Sequence, residues 1–285
     1  MKVIKSAETL ASELGFEKNN KRSVGFVPTM GALHNGHLSL VENSRQNNDI
    51  TVVSIFVNPK QFGESKDLTT YPKPIERDME MLIQAGVDYL FLPDYEDVYP
   101  EYLNFDPIPL GDIETSLEGE SRPGHFQGVA LVVKRFFDII HPNRTYFGQK
   151  DFQQTVVVQF LIRHFELPIE LVVCPIIRES NGLAMSSRNV RMNEEDRKNA
   201  GFLYQSLVKL KESCHHISLQ QALDRTKKFL INQKGVHLEY LNAVNGYTME
   251  VVGDLNDAPY IAVVTVIQFG GIRMLDNIII KKEDA

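Results

Sequence analysis

The chain has few cysteines and no long apolar run, and each shortage argues against a class of protein. Its two cysteines, Cys174 and Cys214, stand far apart, which fits neither a disulfide framework nor the paired ligands of a structural zinc site. No run approaches the roughly 20 apolar residues of a membrane span, and the first residues lack the apolar centre of a secretory signal. We therefore expect a globular, cytoplasmic protein.

Positive charge is also scarce. The 285 residues carry 30 lysines and arginines against 37 aspartates and glutamates, a formal net charge of −7. Proteins that bind nucleic acid normally present a broad basic face, so this balance argues against such a partner. The 43% hydrophobic content suffices for a core in each of two domains, at about 150 residues per domain.

Short apolar runs of strand type alternate with segments of helical period in the first part of the chain. The predicted strands are residues 23–27, 50–57, 89–92, 145–147 and 169–174. Between them apolar residues recur every three or four positions, which is typical of helices. This alternation predicts an α/β fold: a Rossmann-like parallel sheet with helices on both faces, whose ligands bind beyond the carboxyl ends of the strands.

The pattern changes near residue 178. Amphipathic helices are predicted near 197–213 and 219–233, followed by strands at 238–244, 260–269 and 274–280. We expect residues 1–177 to form the Rossmann-like domain and residues 178–285 a smaller α+β domain that acts as a lid. The polar segments 64–74 and 95–109 are predicted to be mobile flaps.

The strand predicted at residues 23–27 leads into PTMGALHNGHLSL, residues 28–40. Gly31 and Gly36 let the main chain approach phosphate oxygens, and the turn should offer free backbone N–H groups beside the positive end of a helix. His34 and His37 share one helix face, so both rings can reach one developing negative charge. Taken alone, such turns and solvated histidines also occur without any nucleotide.

Two further polar stretches follow predicted strands. FVNPKQF, residues 56–62, places the amides of Asn58 and Gln61 at the same sheet edge, where they suit a hydroxy acid; Asn58 is equally well explained as a turn cap. In GQKD, residues 148–151, Lys150 can bridge phosphates. Asp151 either binds ribose or caps the next helix, with Gln154 as its capping partner.

Two more polar stretches are candidates for the site. In MSSRN, residues 185–189, two hydroxyls and a guanidinium can close over a polyphosphate, or the stretch is a solvated linker. RPGHF, residues 122–126, either lines the pocket or caps a helix. The chain has neither a Ser-His-Asp order nor a P-loop motif, so we expect chemistry at phosphorus by positioning and charge stabilisation.

Taken in their order along the chain and at these separations, the five stretches resemble the pantoate–β-alanine ligase family: PTMGALHNGHLSL, FVNPKQF, RPGHFQGV, GQKDFQQ and AMSSRN. The resemblance runs through most of the chain. PTMGALHNGH is similar to the HIGH signature of the nucleotidyltransferase superfamily, and AMSSRN stands at the place of its KMSKS loop. The resemblance implies condensation of pantoate with β-alanine through a pantoyl adenylate, with release of pyrophosphate and AMP. It also implies a homodimer, and Mg²⁺ that arrives with ATP and has no assigned protein ligand.

The resemblance also implies residue roles. His34, His37 and Lys150 are expected to be catalytic, and Gln61, Gln154 and Asn58 to bind pantoate. The expected ATP-binding residues are Met30, Gly31, Ala32, Leu33, His34, Asn35, Gly36, His37, Gly148, Gln149, Lys150, Asp151, Ile177, Met185, Ser186, Ser187 and Arg188.

Two rival functions stay open at this point. A nucleotidylyltransferase of the same superfamily would leave AMP on its product, but it gives no reason for the paired glutamines Gln61 and Gln154. A non-catalytic nucleotide-binding module would need neither a second substrate nor the two histidines. The ligase hypothesis requires the five stretches to converge on one cleft between the domains.

Overall fold

The computed structural model describes residues 1–63 and 68–283, and the predicted alternation of strands and helices is confirmed there. Its strands are β1 (Lys2–Ile4), β2 (Val24–Thr29), β3 (Ile50–Ile55), β4 (Tyr89–Phe91), β5 (Arg144–Gly148), β6 (Glu170–Cys174), β7 (His237–Asn245), β8 (Tyr260–Phe269) and β9 (Ile272–Lys282). The helices are α1 (Ala7–Asn19), α2 (Asn35–Asn47), α3 (Ile75–Gln84), α4 (Tyr95–Val98), α5 (Asp112–Thr115), α6 (Glu118–Ser121), α7 (His125–Ile140), α8 (Phe152–His164), α9 (Glu194–Asn199), α10 (Phe202–Ser213) and α11 (Leu219–Ile231). Short 3₁₀ turns cover Pro59–Gln61, Gln149–Asp151 and Ser187–Arg191.

The chain divides into two compact units. The first comprises Met1–Gly148 and Val157–Cys174, and the second comprises Gln149–Val156 and the chain from Pro175 onwards. The boundary predicted after residue 177 lies close to the second division. Residues 149–156 were expected in the first domain, and their grouping with the second has a physical basis in hydrogen bonds to β9 described below. The lid role stays a prediction.

The first unit contains a six-stranded sheet in the order β1-β4-β3-β2-β5-β6, with every neighbouring pair parallel. From β2 the chain winds outward through β3 and β4, then returns to the other side of β2 with β5 and β6. This confirms the predicted Rossmann-like sheet. The order reverses between β2 and β5, and ligands of such sheets bind beyond the carboxyl ends of strands at that switch point.

The second unit contains the antiparallel sheet β7-β8-β9, and all three of its strands were predicted. The central strand β8 is almost wholly buried, as its apolar sequence indicated. Leucines of α10 and α11 pack with β7 and β8 in one core, which includes Leu207, Leu210, Leu219, Leu223 and Leu241. Burial of this apolar stripe explains why two short amphipathic helices are stable here.

Several predicted boundaries were wrong. β2 continues through Pro28 and Thr29 instead of ending at Val27. Pro28 has no N–H to donate, but the pairing of β2 with β5 stops at Phe26, so that pairing loses no hydrogen bond at Pro28. The helix predicted at 197–213 is two helices, α9 and α10. They are separated at Gly201, where a Cβ would lie 2.0 Å from the Asn181 carbonyl oxygen.

The two predicted flaps have different outcomes. The segment 64–74 falls partly outside the described residues. The segment 95–109 is partly buried, because Val98, Tyr99 and Ile108 lie in the core of the first unit, whereas residues 101–104 are exposed, so its mobility stays a prediction. Within residues 1–63 and 68–283 no helix combines the length and apolar character of a membrane span.

Candidate active site

The loop between β2 and α2 is held by a buried carboxylate. Asp78 of α3 has 0% of its surface exposed; its Oδ2 accepts a hydrogen bond from the Ala32 N–H at 2.7 Å and its Oδ1 accepts one from Leu33 at 2.8 Å. Gly31 has a φ of +79°, and a Cβ there would lie 3.0 Å from Asp78 Oδ2. Glycine is therefore required both for the backbone conformation and for the close approach of the carboxylate.

His34 and His37 form the beginning of α2. Nδ1 of His34 accepts a hydrogen bond from the Gly36 N–H at 3.1 Å, and Nδ1 of His37 accepts one from the His34 N–H at 3.3 Å. The two ring centroids are 4.1 Å apart. A ring nitrogen that accepts carries no hydrogen, so in each neutral imidazole the hydrogen lies on Nε2. The helix cap thereby selects the tautomer that has an Nε2–H donor.

This arrangement corrects one part of the sequence interpretation. Free backbone N–H groups were predicted in the loop, but those of Ala32, Leu33, His34 and Gly36 donate to side chains of the protein. The N–H of Gly31 likewise donates to a hydroxyl, Oγ1 of Thr29, at 3.2 Å. The side-chain bonds fix the loop, so the imidazoles rather than these amides are its candidate donors to a ligand.

Asn58 and Gln61 form a buried amide pair after β3. Asn58, 1% exposed, donates from Nδ2 to Oε1 of Gln61 at 3.1 Å and to the Gly128 carbonyl at 2.9 Å. Its Oδ1 accepts from the Lys60 N–H at 3.3 Å, which confirms the turn-cap explanation. Nε2 of Gln61 lies 3.1 Å from the sulfur of Met30. Asn58 therefore orients Gln61 toward the loop that carries the histidines.

The RPGHF stretch supports the same turn from the other side. Nδ1 of His125 lies 2.8 Å from the carbonyl oxygen of Gln61, and a Cβ at Gly128 would lie 2.3 Å from the Lys60 carbonyl oxygen. Tyr99 donates its hydroxyl to Asn58 Oδ1 at 3.0 Å, and burial raises the pKa of that phenol. The polar groups around Gln61 are thus fixed before any substrate binds.

In the second unit a small cavity brings together three of the predicted phosphate-binding side chains. Lys150, Ser186 and Arg188 line it, together with Asn189, Tyr204 and Asp276. Nζ of Lys150 lies 3.2 Å from Oδ1 of Asp151. A lysine and an arginine on one cavity wall are suited to an anionic group with several oxygens.

The stretch that carries Ser186 and Arg188 is ordered. A β-bridge joins Arg178 to Ala184, and the Met185 N–H donates to the Ile177 carbonyl at 2.9 Å. Ile177 and Met185, both predicted near the adenine, are thus neighbours. Oγ of Ser186 accepts from the Arg188 N–H at 3.3 Å and begins the 3₁₀ turn that contains Ser187. These bonds argue against the solvated-linker alternative.

The other predicted residues fall at element ends. Asn35 and Gly36 begin α2, Gly148 ends β5, and Gln154 lies in the first turn of α8. Sequence reasoning missed most of the buried polar residues that hold the site, chiefly Asp78, Tyr99, Asp276 and Asn277, and it found His125 only as part of the RPGHF stretch. Asp78 did leave a signal, because it occupies a position of the apolar stripe of α3 between Ile75 and Leu82.

The doubly wound sheet and the imidazole pair beside its switch point define an α/β nucleotide-binding enzyme. The family model for pantoate-beta-alanine ligase matches residues 2–279, and the chain belongs to this family of ligases. It is 41% identical to the pantothenate synthetase of Acetivibrio thermocellus, over 99% of this chain and 100% of that one. It is 42% identical to that of Cytophaga hutchinsonii, over 97% and 98%.

Solved structures agree with this assignment. The crystal structure of pantothenate synthetase from Thermus thermophilus matches with a TM-score of 0.90 at 39% identity, covering 99% of this chain and 100% of that chain. The pantoate-beta-alanine ligase from Francisella tularensis, complexed with beta-gamma ATP and beta-alanine, matches with a TM-score of 0.77 at 33% identity, covering 98% and 97%.

Proposed function

We propose that this chain condenses (R)-pantoate with β-alanine at the expense of ATP and so makes pantothenate for coenzyme A biosynthesis. The pantoate carboxylate attacks the α-phosphorus of ATP and pyrophosphate leaves. The amine of β-alanine then attacks the acyl carbon of the pantoyl adenylate and AMP leaves. The observation that carries the proposal is the imidazole pair held through Nδ1 at the start of α2, in a chain of this family.

The histidines act as fixed hydrogen-bond donors. Negative charge grows on the α-phosphoryl and pyrophosphate oxygens during adenylation, and a donor already oriented toward that charge needs no reorganisation in the transition state. Backbone bonds to Nδ1 hold both rings and place the hydrogen on Nε2. Removal of one such donor typically lowers kcat by about 10²–10³-fold.

We assign pantoate to the amide groups. Gln61 is supported by its buried position and by the Asn58 bond that orients it, so that Asn58 acts chiefly through Gln61. Gln154 would supply a second amide. An amide both donates and accepts, which suits a substrate that carries hydroxyls and a carboxylate.

We assign the triphosphate to Lys150, Ser186, Ser187 and Arg188, supported by the shared cavity wall of three of them. Asp151 would bind the ribose, and Ile177 and Met185 the adenine. Mg²⁺ would enter on the phosphates, since it retains waters and prefers phosphate oxygens to an all-protein site. Within the described residues no group of three or more His, Cys, Asp or Glu could hold a metal ion.

Product analysis tests the reaction and separates it from the two rival functions. With ATP, pantoate and β-alanine, AMP and pyrophosphate should form in equal amounts over many turnovers. Without β-alanine, release should stop after about one equivalent of pyrophosphate. AMP that stays attached to the product would indicate a nucleotidylyltransferase, and no turnover at all would indicate a binding module. Continuous AMP release that ignores β-alanine would refute the ligase assignment.

A pair of His37 variants tests the role of Nε2. His37→Asn places an acceptor near the position of Nδ1 and removes the Nε2 donor, so the helix cap should persist. We expect its single-turnover adenylation rate to fall by about 100-fold or more, with ATP affinity changed less than about 5-fold. His216→Ala, an exposed histidine outside the site, is the matched control and should leave both quantities unchanged. An equal loss of rate and affinity in His37→Asn would contradict transition-state stabilisation.

Assembly and location complete the proposal. We propose a homodimer that forms through the first unit, and a cytoplasmic location. Light scattering should give twice the 32.4 kDa mass of one chain.

A further inference from the structure

Strand β9 carries two consecutive polar residues that are almost fully buried. Asp276 is 3% exposed and Asn277 is 2% exposed, within a three-stranded sheet whose central strand is apolar. Burial of a polar group is unfavourable unless it is fully hydrogen-bonded, and an apolar residue would usually serve a core at least as well. The hydrogen-bond partners of Asp276 and Asn277 therefore indicate which part of the structure these two side chains hold in place.

Asn277 binds the turn that carries Lys150. Its Nδ2 donates to the Gln149 carbonyl at 2.9 Å and to the Lys150 carbonyl at 3.1 Å. Its Oδ1 accepts from Nε2 of Gln149 at 2.9 Å. One buried amide thus joins two successive carbonyls and a side chain of the turn, 127 and 128 positions away in sequence. Its bonds constrain the backbone from which the Lys150 side chain projects.

Asp276 holds the other predicted phosphate-binding stretch. Its two carboxylate oxygens accept from Nη1 and Nη2 of Arg178 at 2.7 and 2.9 Å. Arg178 also donates to the Gly182 carbonyl at 3.1 Å and stacks on the ring of Tyr204 at 3.6 Å. Arg178 begins the hairpin that leads to Ser186 and Arg188. Burial raises the pKa of Asp276 and the Arg178 bonds oppose that rise, so the pair is mutually dependent.

We propose that Asn277 is the positioning residue for Lys150, and that with Asp276 it ties the Lys150 turn and the Arg178–Arg188 stretch to one strand. Lys150, Arg188 and Asp276 line the same cavity, so a common support fixes the spacing of the two cations. A polyphosphate has oxygens at set distances, and a displacement of about 1 Å can lower a rate by about 100-fold. This inference rests on the proposed ATP-dependent reaction.

A double-mutant cycle tests it. We expect Asn277→Ala to lower kcat/KM for ATP by about 10-fold or more in the otherwise unchanged enzyme, because the lysine is no longer held. In a Lys150→Ala background the same change should cost less than about 3-fold, since the group that it positions is absent. An equal factor in the two backgrounds would show that Asn277 acts on general stability and would overturn the proposal.

A control variant and a replacement variant complete the experiment. Thr226→Val removes a buried hydroxyl whose bond stays inside α11, so it should leave kcat/KM for ATP unchanged in both backgrounds. If Asn277→Ala does not fold, Asn277→Ser, which keeps a small polar side chain, takes its place in the cycle. An unmodified enzyme that fails to release AMP and pyrophosphate would refute the proposed function itself, whereas an active enzyme with additive factors would refute only the role of Asn277.

Discussion

Asp78 offers a sharp test of how the histidine loop is held. Its buried carboxylate accepts two backbone N–H groups, from Ala32 and Leu33. In Asp78→Asn one of these groups would face the amide NH₂ instead of an oxygen. A buried donor left without an acceptor costs about 1–3 kcal/mol, and bonds to a charged acceptor are worth about 1.5–3 kcal/mol each. We expect the free energy of unfolding to fall by about 2–4 kcal/mol.

The same substitution should lower activity, because the displaced loop leads directly into His34. Urea unfolding measures the stability, and pantoate-dependent pyrophosphate release measures adenylation. Glu80→Gln is the matched control: it makes the same change of charge on the exposed face of α3 and should shift stability by less than about 0.5 kcal/mol. If Asp78→Asn unfolds at the same urea concentration as the unmodified chain, the carboxylate does not hold the loop.

Two further predictions concern the first unit. Gly128→Ala should destabilise the chain by about 1–3 kcal/mol in denaturant unfolding, because the new Cβ would lie 2.3 Å from the Lys60 carbonyl oxygen. Gly15→Ala in α1, where a Cβ meets nothing within 4 Å, should be neutral or stabilising, and the reverse order would contradict the close approach. Hydrogen bonds from the N–H and hydroxyl of Ser23 lower the pKa of Asp49, so its contribution to stability is present above its unfolded pKa, about 3.9, and is lost as the pH falls through the lower folded pKa. The difference in urea midpoint between the unmodified chain and Asp49→Asn should therefore shrink below about pH 4, and a constant difference down to about pH 3 would count against this cause.

Regular periodicity made most of the fold predictable. Buried parallel strands and amphipathic helices leave local patterns, and β7, β8 and β9 were located to within a few residues of their ends. The three-residue edge strand β1 is too short to leave such a pattern. Its identity as a strand depends on pairing with β4, which lies far along the chain.

The candidate site was predictable only where its residues form local motifs. The histidines, glutamines and basic residues stand in short recognisable stretches. The residues that hold these side chains in place do not stand in such stretches. Asp78 binds the histidine loop from 45 and 46 positions away, and Asn277 binds the Lys150 turn from the far end of the chain. A single buried carboxylate or amide has no periodicity, so its partner becomes known only when the tertiary structure does.

The imidazoles that cap α2 also form its first turn. Helix ends fray more readily than cores open, and a frayed first turn would release both rings from their backbone donors. Heat or mild denaturant should then inactivate the enzyme while the six-stranded sheet is still folded. Loss of this single turn would therefore be enough to stop adenylation.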